Sequence, residues 1–311
     1  MSNLIPLIDF SPFFSGPEGR QSVGADVFRA AHETGFMYLK GHGIPFDQVS
    51  GTFGLAQDFF RLPNETKVQH LRTAGNFGYQ SLAQEALDPT QPPDLKEDFT
   101  MRNALAIDAS DPRWPSEAFR WKATGFYDEC RKLAAQVMQA FALALRLPEG
   151  FFDDKHTGKT QTLRFLHYPP SRSVRPGQLG AGAHTDYGTL TLLFQDNAGG
   201  LEVQNTDGLW VPAPPMPGTV VVNTGDLLAR WSNDVLRSTP HRVQIRPESA
   251  AAGRLSIAFF SDPDPEVLVE TIPSCITTDR PACFAPILAG THIEEQLSMG
   301  LEKGQWGPIQ A

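Results

Sequence analysis

Two histidines and one aspartate have the types and the spacing of a metal-binding site. His184 and Asp186 stand two positions apart, and His241 follows 55 residues after Asp186. In an extended segment, residues i and i+2 point to the same face, so His184 and Asp186 can converge on one ion. Two imidazoles and one carboxylate leave part of the coordination sphere open, the pattern that holds non-haem Fe(II). A His-x-Asp triplet is also frequent by chance, so the metal site needs support from other positions.

A second pair with the same spacing could hold a carboxylate. Arg254 and Ser256 open the apolar run 254–260, where an arginine is costly unless it is paired. A guanidinium grips a carboxylate with two hydrogen bonds, and a hydroxyl adds another. We expect the strands of His241 and Arg254 to form an antiparallel hairpin, separating the two residues by about the length of a small dicarboxylate at roughly 3.3 Å per residue. An ordinary buried salt bridge explains Arg254 equally well at this point.

The segments that must position these residues change character near residue 155. Before it, helical periodicity dominates, with Ser22 as the predicted N-cap of the first helix. Residues 72–114 are rich in Pro, Gly, Gln and Asp, which predicts loop with short strands. The other elements predicted in this part are strands at 6–10 and 36–39 and helices at 22–34, 46–61 and 116–146.

Beyond about residue 160 the sequence consists of short apolar or alternating runs separated by turn residues. Regular short strands of this kind predict an all-β barrel or sandwich. We therefore expect a mainly β fold with packed helices, in which a helical N-terminal part covers a β core. The predicted strands lie at 162–168, 189–195, 200–204, 209–211, 218–223, 240–246 and 254–260.

Composition narrows the classes of partner. The formal net charge is -9, so the chain offers no general attraction to nucleic acid or to an anionic membrane. No apolar run approaches the roughly 20 residues of a membrane span, and the N-terminus lacks the pattern of a signal peptide. The three cysteines form no CxxC pair, which favours a reducing cytoplasm. We expect a cytoplasmic protein that acts on a small molecule; its oligomeric state stays open.

Several motifs resemble those of one enzyme family, the isopenicillin N synthase-like family of 2-oxoglutarate/Fe(II) oxygenases. The resemblance covers nearly the whole chain. It implies a double-stranded β-helix (jelly-roll) core in a single domain, 1–311, with a helical N-terminal region, 1–155, and the core plus a C-terminal helix, 156–311. The motifs that carry it are 6–9 and 35–44 near the N-terminus, and 182–193 (GAHTDYGTLTLL), 223–228, 238–243 and 254–260 (RLSIAFF) in the second half.

The resemblance also implies roles for individual residues. Fe(II) would be held by three ligands, namely His184, Asp186 and His241. The distal carboxylate of 2-oxoglutarate would be bound by Arg254, Ser256 and Tyr168. The implied reaction consumes O2, oxidises a C–H bond of a small organic substrate and releases succinate and CO2, with no catalytic side chain beyond the metal centre. The family often has Asn two residues before the tyrosine, where this sequence has Leu166, and the segment around Ala250 is longer than usual.

Four other functions remain open on the sequence. The same iron site serves 2-oxoglutarate-independent oxidases of the isopenicillin N synthase type and enzymes that form ethylene from 2-oxoglutarate. The three ligands could also hold the zinc ion of a hydrolase, although no HExxH-type glutamate accompanies them. A metal-free binding protein could keep the same fold.

The substrate pocket should face the iron. We expect it to be lined by the 72–102 loops, the barrel mouth and the C-terminal helix near 289–300. Aromatic residues in these segments favour a largely apolar substrate, such as a natural-product intermediate. The candidate lining residues are Phe77, Tyr79, Phe99, Trp231 and Phe260, each of which would serve equally well in a core.

Overall fold

The computed structural model describes residues 5–72, 75–88, 91–170, 177–245 and 253–303. In the first half, helices alternate with short strands: β1 (Leu7–Asp9), α1 (Pro17–Glu33), β2 (Phe36–Lys40), α2 (Phe46–Phe60), α3 (Asn64–Lys67), β3 (Phe77–Gln80), β4 (Glu97–Arg102) and α4 (Glu117–Ala144). The second half is mainly β: β5 (Thr162–Tyr168), β6 (Ala181–His184), β7 (Leu190–Gln195), β8 (Leu201–Gln204), β9 (Trp210–Pro212), β10 (Thr219–Thr224), α5 (Asp226–Trp231), β11 (His241–Val243), β12 (Arg254–Ser261), β13 (Leu268–Val269), β14 (Ile287–Leu288) and α6 (Ala289–Lys303).

Two sheets build the jelly-roll core. The major sheet has eight strands in the order β1-β2-β10-β7-β12-β5-β4-β3, and the minor sheet has four in the order β6-β11-β8-β9. Residues of both sheets line one cavity between them. The predicted mainly β architecture with a jelly-roll core is thus confirmed.

Strand β12 illustrates why the major sheet separates a cavity from an apolar core. Successive side chains of a strand point to opposite faces. Ile257 and Phe259 belong to the large core cluster that includes buried residues of α4, whereas the even-numbered residues of the strand line the cavity: Arg254, Ser256, Ala258 and Phe260. Helix α4, whose N-cap Ser116 accepts a hydrogen bond from the backbone N–H of Phe119 at 3.0 Å, packs against α1, α2 and this sheet.

Several predicted boundaries move. The first helix begins at Pro17 rather than after Ser22, because proline is well suited to the first position of a helix. The loop-rich stretch 72–114 contributes two strands to one end of the major sheet, where β3 is the edge strand and β4 lies between β3 and β5. Strand β6, which carries His184 at its end, was not predicted as a separate element. Within the described residues, no helix has the length and apolarity required to cross a membrane.

The expected hairpin between the strands of His241 and Arg254 is wrong. Strand β11 pairs with β6 and β8 in the minor sheet, whereas β12 pairs with β5 and β7 in the major sheet. The two strands therefore contribute to different walls of the core. Most of the connecting segment, including the longer turn expected around Ala250, lies outside the described residues.

Candidate functional site

The structure brings His184, Asp186 and His241 together. One possible ligand atom from each lies within 4.8 Å of the others. His184 ends β6 and His241 begins β11, and the two residues are direct partners in the register of the minor sheet. Asp186 lies two residues beyond the end of β6, so the chain reaches the site without the continuous strand that the i, i+2 argument assumed.

Backbone carbonyls orient both imidazoles. Nδ1 of His184 lies 2.7 Å from the carbonyl of Gly182, and Nδ1 of His241 lies 3.2 Å from the carbonyl of Thr239. When each Nδ1–H donates to its carbonyl, the lone pair is on Nε2. Both Nε2 atoms lie 3.8 Å from Oδ1 of Asp186, so the three free ligand atoms face one point.

The carboxylate of Asp186 is held by its other oxygen. Oδ2 accepts hydrogen bonds from Thr191 Oγ1 at 2.6 Å and from Asn223 Nδ2 at 2.7 Å, which leaves Oδ1 for a metal. Burial opposes the charge of Asp186, but His241, His184 and these two hydrogen bonds keep the pKa of its carboxyl below the usual value. Burial and the neighbouring His241 lower the pKa of His184 to about 3. A neutral imidazole and an ionised carboxylate are the forms that bind metal.

Arg254 lies in the same cavity and lacks an anionic partner among the described residues. Its side chain is buried, with Nη1 donating to Ser256 Oγ at 2.9 Å and Nη2 to Gln195 Oε1 at 3.3 Å. The guanidinium carbon lies 4.7 Å from the ring centre of Tyr168, and Nε has no hydrogen-bond partner among the described residues. The salt bridge that was the alternative explanation for this arginine is thus absent from the described part of the chain.

These two groups of side chains fit the cofactors that the sequence implies. Two imidazoles and a carboxylate with an open face suit Fe(II), and a buried guanidinium with an unused N–H suits the carboxylate of a ketoacid. Both groups line one cavity of about 220 Å³. Ile293 and Leu297 of α6 cover part of this cavity, as expected for the C-terminal helix.

Charged side chains form much of the remaining wall, and most of them are paired. Lys96 Nζ lies 3.0 Å from Glu85 Oε2 and 3.1 Å from Asp94 Oδ2. Arg164 Nη1 lies 3.6 Å from Glu85 Oε2, and its Nε lies 3.7 Å from Asp98 Oδ1. The wall provided by the 72–102 segment is therefore polar, in contrast to the apolar lining that the sequence suggested.

Comparison with known proteins assigns the family. Residues 159–263 match the 2OG-Fe(II) oxygenase superfamily model, and residues 5–120 match the model described as non-haem dioxygenase in morphine synthesis N-terminal. The chain is 31% identical to the 2-oxoglutarate-Fe(II) type oxidoreductase hxnY of Emericella nidulans, over 98% of this chain and 91% of the relative. The chain belongs to the 2OG-Fe(II) oxygenase superfamily.

A further relative and a solved structure are consistent with this family. The 2-oxoglutarate-dependent dioxygenase htyE of Aspergillus rugulosus is 32% identical over 88% of this chain and 91% of its own length. A full-length Neurospora crassa protein, crystallised with alpha-KG (2-oxoglutarate) and thymine, superposes with a TM-score of 0.85 at 35% identity, covering 95% of this chain and 97% of that one. The oxygenase is a 2-oxoglutarate- and Fe(II)-dependent dioxygenase.

The structure shows which of the five aromatic residues predicted to line the substrate pocket do so. Only Phe260 lines the cavity of the oxygenase. The other four, Phe77, Tyr79, Phe99 and Trp231, are buried in the core cluster. On β4, Phe99 points to the face opposite that of Arg102, which lines the cavity. The hydroxyl of Tyr79, for example, donates to Glu97.

Sequence reasoning missed three partners of the site. Thr191 and Asn223 hold Asp186, and Gln195 accepts from Arg254. Thr191 and Asn223 lie inside the motifs 182–193 and 223–228, but nothing in their spacing says which atom they contact. Thr191 and Gln195 are an even number of positions apart on β7, so their side chains point to the same face of the strand. This spacing was the one signal in the sequence that Gln195 could belong to the site.

Proposed function

We propose that His184, Asp186 and His241 bind the Fe(II) of this dioxygenase, and that Arg254, Ser256 and Tyr168 bind the distal carboxylate of 2-oxoglutarate. One observation carries the proposal: a buried arginine without a carboxylate partner in the described residues shares a cavity with three converging metal-ligand atoms. A buried guanidinium is costly unless an anion compensates it, and the cosubstrate is such an anion.

In the proposed metal site, three residues provide ligand atoms and two neighbours orient the carboxylate of Asp186. When bound, Fe(II), 2-oxoglutarate and O2 supply the oxidant that removes hydrogen from a substrate C–H bond, with release of succinate and CO2. His184 and His241 offer Nε2, and Asp186 offers Oδ1 while Thr191 and Asn223 retain its other oxygen. This arrangement fixes the ligand directions before a metal arrives, which raises metal affinity.

The cosubstrate end is organised in the same way. Ser256 accepts from Arg254 Nη1, which aims the guanidinium, and its hydroxyl hydrogen stays available to a carboxylate. The ring of Tyr168 lies against the guanidinium, an arrangement that stabilises the cation and excludes water from one face. Leu166 is the direct partner of Ser256 in the register, so an apolar side chain occupies the position where the family often has Asn.

We infer that residues 1–311 fold as one domain. The major sheet supports this inference, because β1–β4 of the N-terminal region pair within the same sheet as β5, β7, β10 and β12 of the core region. We also infer a cytoplasmic location, supported by three cysteines that form no disulfide: Cys130, Cys275 and Cys283.

The substrate that we propose is a small polar ring compound rather than the largely apolar molecule that the aromatic residues suggested. The Neurospora crassa neighbour was crystallised with thymine and, in another structure, with 5-formyluracil. The cavity of this chain supports a compound of similar size and polarity, because charged side chains line the wall provided by β4, β5 and the segment before β4.

A screen for substrate-stimulated 2-oxoglutarate consumption tests the proposed function. Purified enzyme with Fe(II), O2 and 2-oxoglutarate is offered a set of small cyclic amides, heterocycles and amino acids, and succinate and oxidised product are measured by mass spectrometry. We expect succinate to form in step with a product that has gained oxygen or lost two hydrogens. Turnover without succinate would instead indicate an oxidase of the isopenicillin N synthase type, and ethylene would indicate fragmentation of 2-oxoglutarate itself.

A further inference from the structure

The cavity extends along the paired strands β5 and β12, from the proposed 2-oxoglutarate site at one end to a second polar region at the other. Arg254 is opposite Tyr168, and Phe260 is opposite Thr162 at the other end of the paired segment. Two charged residues line the cavity at that far end: Arg102, the last residue of β4, and Asp262, the residue after β12. Neither has been given a role in binding iron or 2-oxoglutarate.

The carboxylate of Asp262 is held in place but not paired. An added Cβ at Gly188 would lie 1.7 Å from Asp262 Oδ1, so the carboxylate occupies space that only a glycine leaves free. Thr160 Oγ1 donates to the backbone carbonyl of Asp262 at 3.1 Å and to that of Pro263 at 2.8 Å, which fixes the turn. No hydrogen bond or ion pair from the described residues reaches the carboxylate. Burial raises the pKa of Asp262 to about 7, although the charge of Arg102 opposes the shift.

Arg102 is in a similar position. Its Nε donates to Thr162 Oγ1 at 3.4 Å, and within the described residues it forms no ion pair. Arg102 and Asp262 line the same cavity, but within the described residues they form neither a hydrogen bond nor an ion pair with each other, so a gap separates a donor from an acceptor. The other charges of this wall already have partners, since Lys96 and Arg164 pair with acidic residues.

We propose that Arg102 and Asp262 anchor the organic substrate, and that this substrate is a neutral molecule presenting a hydrogen-bond acceptor and a donor side by side, as a cyclic amide does. This inference rests on the proposed function, which places iron and 2-oxoglutarate at the other residues of the cavity. The C=O of the amide accepts from the Arg102 guanidinium and its N–H donates to the Asp262 carboxylate. Both are charge-assisted hydrogen bonds, which are about twice as strong as neutral ones.

Charge balance favours a neutral ligand over a charged one. At pH values above its pKa of about 7 Asp262 is ionised, and the pair Arg102 and Asp262 then has no net charge. Under these conditions an anion would leave Asp262 uncompensated and a cation would leave Arg102 uncompensated. A zwitterion would match both residues but must give up the hydration of two full charges on entering the cavity. An amide loses much less hydration and still satisfies both groups.

Equilibrium binding to the holoenzyme tests the pair. Protein loaded with Fe(II) and 2-oxoglutarate under anaerobic conditions is titrated by calorimetry with thymine, hydantoin and 2-pyridone, with 1,3-dimethylthymine as the matched ligand that lacks N–H donors, and with L-proline and L-leucine as zwitterions. We expect at least one cyclic amide to bind, and 1,3-dimethylthymine to bind at least tenfold more weakly than thymine if thymine is that ligand. A site that is built to hydrogen-bond a donor discriminates strongly against analogues without it.

Protein variants complete the design. In Asp262→Ala and in Arg102→Met we expect the cyclic amide to bind at least tenfold more weakly, whereas the exposed control Asp207→Asn should bind it as the unmodified protein does. The proposal is overturned if no cyclic amide binds, if only the zwitterions bind, or if both cavity variants retain full affinity. Since Asp262→Ala could alter the turn, Asp262→Asn keeps the side-chain shape and should also weaken binding.

A spectroscopic readout separates this inference from the proposed function. 2-Oxoglutarate that chelates Fe(II) gives a visible charge-transfer absorption. Failure of the unmodified protein to develop this absorption would refute the proposed iron and ketoacid sites. Development of the absorption in the unmodified protein and in both cavity variants, with unchanged amide affinity, would refute only the roles of Arg102 and Asp262.

Discussion

His241 and Arg254 are thirteen positions apart in the sequence but lie on strands of different sheets. His241 begins β11 in the minor sheet, and Arg254 begins β12 in the major sheet. The proposed metal end and the proposed ketoacid end of the cavity are therefore supported by separate hydrogen-bond ladders. A change at one end should leave the other end structurally intact.

Replacement of Arg254 by Ala should weaken 2-oxoglutarate binding and spare the metal. Removing one partner of a buried charge pair costs about 2–5 kcal/mol, so we expect affinity for 2-oxoglutarate to fall about 30-fold or more. Arg254→Lys should recover only part of the loss, because an ammonium lacks the planar fork. Titration of the charge-transfer absorption measures the effect, with Arg131→Ala on the surface of α4 as the control. Unchanged cosubstrate affinity would rule out the assigned role.

Replacement of Asn223 by Ala should weaken metal binding. It removes one of the two hydrogen bonds to Asp186 Oδ2, and loss of such outer contacts typically reduces metal affinity about 10–100-fold. Thr191→Val, which removes the other hydrogen bond with little change of shape, should act in the same direction. Competition with a metal chelator gives the affinities, and the exposed Asn64→Ala should match the unmodified protein. Equal affinities in all four proteins would contradict the role of these contacts.

His156 should make the fold sensitive to acid. Nδ1 lies 3.0 Å from the carbonyl of Phe152 and Nε2 lies 3.0 Å from Thr189 Oγ1, and burial lowers the pKa of His156 to about 4. In the unfolded chain the imidazole of His156 has a pKa near 6.5, so as the pH falls it becomes protonated before the imidazole in the folded protein does. The free energy of unfolding is therefore unaffected above pH 6.5 and declines as the pH falls towards 4. The full loss is on the order of 3 kcal/mol.

Urea unfolding at pH 7.5 and pH 5 measures this effect. His156→Gln has no titrating ring, so the difference in unfolding free energy between variant and unmodified protein should shift in favour of the variant at the lower pH. A difference that is the same at both pH values would show that His156 is not the titrating group.

Truncation of two phenylalanines should affect stability and turnover to different extents. Phe99 is fully buried, with its ring centre 5.0 Å from that of Phe59 and 5.1 Å from that of Phe119, so Phe99→Ala should cost about 3–5 kcal/mol of stability. Phe260 lines the cavity, so Phe260→Ala should cost less and should change substrate-stimulated turnover more. Denaturant unfolding combined with 2-oxoglutarate consumption compares them. Similar effects of the two variants on both quantities would contradict the division between core and cavity.

The sequence determined those features that depend on local spacing. Arg254 and Ser256 converge because residues two apart in a strand share a face. The short spacing of His184 and Asp186 also predicted that they meet, although Asp186 reaches the site from beyond the end of β6. The long helices followed from apolar periodicity, and the major-sheet strands β5, β7, β10 and β12 followed from short apolar runs between turns. The motifs that resemble known oxygenases supplied the family and the reaction.

Only the tertiary structure decided which distant residues meet. Chain proximity suggested a hairpin for His241 and Arg254, but hydrogen bonding between strands placed them in different sheets. The contacts of Asp186 with Asn223, and the juxtaposition of Asp262 with Gly188, join residues that are far apart in sequence. An aromatic residue looks the same in a sequence whether it fills the core, as Phe99 does, or lines a cavity, as Phe260 does. The physical reason is that strand order and sheet packing are set by the burial of the whole chain, which no local pattern records.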